Sequence, residues 1–139
     1  MAEPESTSPD PHGDGPTPGP FSALLGFRYI SVDADEAVVE ADPAPEHCNG
    51  SGIVHGGFIA SLLDTTTGWA VHAHVSEGIA APHVQLSVQY VRAAVPGSPL
   101  VCRARCLNVG KRIGSTEAEL TQGGVLVATA SGTHAVLSP

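Results

Sequence analysis

Apolar and small residues recur at the i, i+3, i+4, i+7 spacing through Ile59, Leu62, Leu63, Thr66, Trp69, Ala70 and Ala73. This is the signature of one buried helical face. It predicts a long helix from Gly56 to about Val75, closed by Ser76-Glu77-Gly78 with Gly78 as a left-handed cap. Elsewhere the period is two. Residues 28–32 and 37–41 read as a half-buried hairpin joined by Asp33-Ala34-Asp35-Glu36, and Pro43 and Pro45 end it. Residues 83–91 alternate cleanly. Val84, Leu86, Val88 and Tyr90 fall on the face expected to pack on the helix, with His83, Gln85, Ser87, Gln89 and Val91 on the other. Residues 100–109, 113–121 and 125–136 read as three more strands, separated by Gly110-Lys111-Arg112 and by the hairpin turn Gln122-Gly123-Gly124. With residues 83–91 they suggest a four-strand meander. A short helix or turn over 21–27 feeds the domain. The pattern as a whole predicts an α+β domain over 21–139, a curved antiparallel sheet wrapped round one long central helix.

The loop before that helix, and its first turns, carry unusual polar chemistry. Asn49-Gly50-Ser51-Gly52 leads through Ile53-Val54 to His55-Gly56-Gly57, and Asp64 follows. Unpartnered N–H groups and the helix dipole favour negative charge at a helix start, and glycines leave those donors uncovered. Such a junction can hold an anion or a developing oxyanion. The helical neighbours of Asp64 are Ala60, Ser61, Thr67 and Gly68, all small, and the helix lacks Lys and Glu. The small neighbours leave room for a substrate, and the missing charges weaken the ordinary reading of an exposed Asp on a solvated face. Gly56 and Asp64 are eight residues apart, roughly 12 Å along a helix. If both act on one bond, the carboxylate comes from a second copy of the helix, which implies a homodimer with two shared sites.

Asn49, a glycine-containing spacer, His55-Gly56-Gly57 and Asp64 together resemble the hotdog-fold acyl-CoA thioesterases, in particular the phenylacetic-acid-pathway (PaaI-like) branch. That family's pattern is Asn, His-Gly-Gly, and an acid eight residues after the first of the two glycines. The likeness extends more loosely over about residues 25–136. It implies a hotdog fold and hydrolysis of an acyl-CoA or acyl-carrier-protein thioester by a homodimer or a dimer-of-dimers tetramer, with no cofactor. The resemblance makes Asp64 the general base or the nucleophile, Gly56 N–H the oxyanion donor, and Asn49 a residue lining the site. His55 either braces the loop or meets the thioester; Gly57 and Ser61 flank the substrate. The family often carries Ser or Thr where His83 stands. His83 is either a proton acceptor paired with Asp64, a residue that fills the pocket, or a strand-end histidine. The coenzyme A phosphates would fall to Arg92, Lys111 and Arg112, with Arg103 and Arg105 also available.

Composition narrows the alternatives. Of 139 residues 42% are hydrophobic, enough for a core, and a formal charge of −8 argues against nucleic acid. Five of the six basic residues lie in the second half; apart from a phosphate site, ordinary strand and turn charges account for them equally well. No run of 18 apolar residues and no secretory signal is visible, and three cysteines without a CxxC suit reduced thiols in a cytoplasmic protein. No His/Cys spacing fits a metal site. Residues 1–20 hold six prolines and four acids and read as a disordered tail. A non-catalytic acyl-CoA-binding or sensing domain is the alternative reading; a dehydratase fits the His-Gly-Gly and Asp arrangement less well.

Overall fold

The computed structural model describes residues 18–138. Of the segment expected to be a tail, only Pro18–Pro20 are among them; residues 1–17 lie outside the described residues. The elements are helix α1 (Pro20–Leu24), strands β1 (Arg28–Val32) and β2 (Ala37–Ala41), helix α2 (Gly56–His72), and strands β3 (His83–Tyr90), β4 (Leu100–Val109), β5 (Ile113–Gln122) and β6 (Val125–Ala135). All six strands form one antiparallel sheet in the order β1-β2-β4-β5-β6-β3, and α2 packs on one face of it. This is the hotdog architecture.

The inner face of the sheet is built from small residues where the helix lies. Ala37, Ala104, Ala118, Ala130 and Val88 pair in register across five strands, and the four alanines are buried. Short side chains let the α2 backbone come close, and Leu62, Leu63, Thr66 and Val71 fill the remaining space with no exposure. The approach is tightest at Gly114, where an added Cβ would stand 2.9 Å from Val71 Cγ2. Thr66 and Thr67 are tolerated in the buried stripe because their hydroxyls bond the carbonyls of Leu62 and Leu63 at 2.6 and 2.8 Å. The outer face is charged and self-paired: Arg103 bonds Glu36 at 2.9 Å and Arg105 pairs with Glu117.

Four expectations are corrected. Strand β2 is not half-buried, because Ala37, Val38, Val39 and Ala41 are all covered. Helix α2 ends at His72, earlier than Val75. Gly78 does adopt φ +83, but in a separate turn closed by Ile79 N–H on Ser76 O. Strand β3 does not open a four-strand meander. The meander is β4-β5-β6, and β3 pairs with β6 at the sheet edge. Local pattern fixes that a segment is a strand but says nothing of which neighbour it pairs with. As an edge strand β3 leaves Val84 62% and Tyr90 54% exposed, while Leu86 and Val88 pack on the core.

Candidate active site

Strand β3 carries a bulge that decides the site. Pairing runs Leu86 with Gly132 and Gln85 with Thr133, then His83 with His134, so His83 and Val84 together face one residue of β6. Simple alternation puts Val84 on the inner face and His83 on the outer. The extra residue reverses this, turning Val84 outward and His83 in beneath α2. There His83 Nε2 lies 2.8 Å from Thr67 Oγ1, and Nδ1 lies 3.6 Å from Asp64 Oδ2. Asp64 itself stays exposed, with its side chain 58% accessible.

The start of α2 is arranged by its own residues. His55 is the N-cap: its Nδ1 accepts from Gly57 N–H at 2.7 Å, and its carbonyl accepts from Phe58 and Ile59 N–H. The His55 ring thus caps the first turn of α2, and an added Cβ on Gly57 would stand 2.9 Å from that ring. Among the described residues no acceptor faces Gly56 N–H. Tyr90, at the far end of β3, donates its hydroxyl to Gly56 O at 3.0 Å. Asn49 forms a turn, its Oδ1 accepting from Ser51 and Ile53 N–H at 2.9 and 3.4 Å. Ser61 returns its hydroxyl to Gly57 O at 2.7 Å. Gly57, Ser61, His55 and Phe58 border a shallow cavity of about 240 Å³ that Phe21, Leu25, Glu46, His47 and Cys48 also line.

Within one chain, then, the residues singled out from sequence fall into two groups. Gly56, Gly57, His55, Asn49 and Ser61 gather at the start of α2, and Asp64 and His83 sit further along. The bases separate likewise. Arg103 and Arg105 are engaged on the outer face. Arg92 donates to Leu126 O at 3.0 Å near the Tyr90 end of β3. Lys111 and Arg112 make no ion pair among the described residues. The β4–β5 turn that bears them lies beside the end of β6, where Val136 N–H bonds Arg112 O.

Sequence reasoning missed His134, Thr116 and Thr67. His134 is fully buried, 4.1 Å ring to ring from His83, with Nε2 at 2.8 Å from Thr116 Oγ1 and Nδ1 at 3.2 Å from Ala81 O. Burial above all, and then the neighbouring His83, push it below the ordinary histidine value. A histidine on the inner alternation of β6 was the only signal, and it reads equally as a satisfied core residue.

A curved antiparallel sheet round one helix, with a glycine-rich helix start and an exposed carboxylate two turns on, defines a hotdog-fold enzyme domain. Residues 51–129 match the thioesterase superfamily model, and the chain belongs to that family. It is a thioester hydrolase. Acyl-coenzyme A thioesterase PaaI of Escherichia coli is 31% identical over 96 residues, covering 69% of this chain and 66% of that protein. Human acyl-coenzyme A thioesterase 13 is 28% identical over 115 residues, covering 82% and 81%. A conserved protein of Pseudomonas aeruginosa superposes with a TM-score of 0.80 at 35% identity, covering 86% and 94%.

Proposed function

We propose that the chain hydrolyses an acyl-CoA, or an acyl thioester on a carrier protein, at a site shared by two copies, Asp64 of one copy acting with Gly56 N–H of the other. The observation that carries this is the layout of α2 and β3. The strand runs beside the helix from His83, at Asp64, to Tyr90, at Gly56, and it is a sheet edge. Two such edges paired antiparallel about a two-fold axis would bring the His83 end of one copy to the Tyr90 end of the other. The roughly 12 Å between Gly56 and Asp64 in one helix is then bridged by symmetry.

Thioester chemistry asks little more of the protein. The carbonyl is electrophilic and thiolate leaves readily, so one carboxylate and one oxyanion donor suffice. Asp64 activates water or attacks the carbonyl itself, Gly56 N–H receives the oxyanion at a helix start, and Arg92, Lys111 and Arg112 hold coenzyme A phosphates. The named activities of the E. coli and human relatives support a coenzyme A ester. Thiol release from short, medium, long and aromatic acyl-CoAs, measured for wild type beside Asp64→Ala, tests the reading. We expect turnover in the wild type and a loss on the order of 10²–10⁴-fold in the variant, with its thermal transition intact. Equal turnover in both proteins would remove Asp64 from the mechanism.

A further inference from the structure

Thr67, Asp64 and His134 surround His83, and the first of them bears on which of its nitrogens carries the proton. Thr67 has one hydroxyl hydrogen, and it is committed to backbone carbonyls: Leu63 O at 2.8 Å, with Asp64 O at 3.2 Å. With its hydrogen on Leu63 O, the Thr67 oxygen accepts from His83, an arrangement that puts the hydrogen of His83 on Nε2. In the neutral ring that leaves Nδ1 as a lone pair, 3.6 Å from Asp64 Oδ2. Two acceptors converge, too far apart for a direct hydrogen bond and near enough for one water lying beside the pair to bond both.

The second histidine is oriented by the same reasoning. Ala81 O can only accept, so His134 Nδ1 carries its hydrogen and Nε2 accepts the Thr116 hydroxyl. Both nitrogens are thus satisfied in a neutral ring, and that ring lies against His83 at 44°. Gly132 makes the room. A Cβ there would stand 2.6 Å from Thr116 Oγ1, 3.1 Å from His134 Nε2 and 3.6 Å from His83 Cδ2. The titratable groups facing His83 are Asp64 from α2 and His134 from β6, and burial disfavours the charged form of the second.

We infer that His134 is a positioning residue which, with Thr67 on the opposite side, holds His83 as the Nε2–H tautomer with its Nδ1 turned on Asp64, so that imidazole and carboxylate act as one proton-accepting pair. The inference rests on the proposed thioester site and deepens it. A water beside the pair, within reach of both Oδ2 and Nδ1, gives one proton to the pair as its oxygen bonds to the carbonyl carbon. The C–S bond then breaks, and the pair returns that proton to the departing sulfur. His134 never exchanges a proton in this scheme; it fixes the ring that does.

The test reads tautomers and rates on the full chain. Ring-nitrogen NMR of the ¹⁵N-histidine-labelled protein is expected to show His83 as Nε2–H and His134 as Nδ1–H. Thr67→Val keeps the side-chain shape but removes the acceptor, and His134→Phe keeps a ring but removes its hydrogen bonds. Both are expected to mix the His83 tautomers and to lower kcat roughly 10–100-fold with KM little changed. Thr67→Ser restores the acceptor and recovers most of the rate. A wild-type His83 in the Nδ1–H form, or unchanged kcat in either Thr67→Val or His134→Phe, overturns the inference. Should His134→Phe fail to fold, His134→Gln, which can keep bonds to Ala81 O and Thr116 but lacks the ring against His83, takes its place with the same expected loss. A wild-type protein without turnover on any acyl thioester overturns instead the function proposed above, and the tautomers then settle the positioning of His83 by themselves.

Discussion

Gly56 stands at the first position of α2, where the backbone N–H has no helical partner and the side chain next to it, His55, serves Gly57. Proline is tolerated at such a position because its ring already has the helical φ and the missing N–H breaks no helical bond. His55 is extended (φ −60, ψ 138), as a residue before proline must be. Gly56→Pro therefore deletes the proposed oxyanion donor while keeping the helix. Its kcat on the best acyl-CoA is expected to fall about 10²–10³-fold. Gly56→Ala retains the N–H and sets its Cβ 3.4 Å from the Tyr90 ring, so it should lose far less. Comparable losses in the two variants would assign the effect to space rather than to the hydrogen bond. Burial pushes the thiol of Cys102 up to about 12, which makes it a packing residue beside Thr66 and not a nucleophile.

At the scale of elements, α2 and the sheet meet through the alanine row. The contact is close because Ala104, Ala118 and Ala130 present only methyl groups. Ala104→Leu inserts three carbons into a packed seam and is expected to destabilise the fold by about 1–3 kcal/mol, read as a lower denaturant midpoint at constant m-value. A neutral result would mean that the helix can lift from the sheet without loss. The β3 bulge is the other decision made at this scale. It is a one-residue irregularity, yet it moves an imidazole from the outer face to the carboxylate of α2.

For the whole molecule the decisive question is whether one chain holds a complete site. Asp64→Ala and Gly56→Pro damage opposite halves of the proposed shared site. Co-expressed in equal amounts, half the dimers would be hybrids, each with one site intact in both groups. Recovery to about a quarter of wild-type turnover is then expected from two inactive proteins. No recovery, with hybrid dimers shown by mass spectrometry, would place both groups in one chain's site. Among the described residues no helix is long and apolar enough to cross a membrane.

The sequence by itself determined the elements and the class of chemistry. The 3.6-residue stripe of Ile59, Leu62, Leu63 and Trp69 and the period-two runs mark the elements because burial on one face leaves its periodicity in the chain. The Asn49, His55-Gly56-Gly57 and Asp64 spacing marks the family because a helix start and a carboxylate two turns on are local geometry. Tertiary structure alone decided that β3 pairs with β6 rather than β4, since strand pairing joins segments far apart in the chain. It also decided that His83 faces inward, because the bulge is set by the register against β6. His134 and Thr116 come from other strands and join His83 only when the sheet closes, so no spacing in the chain could announce them.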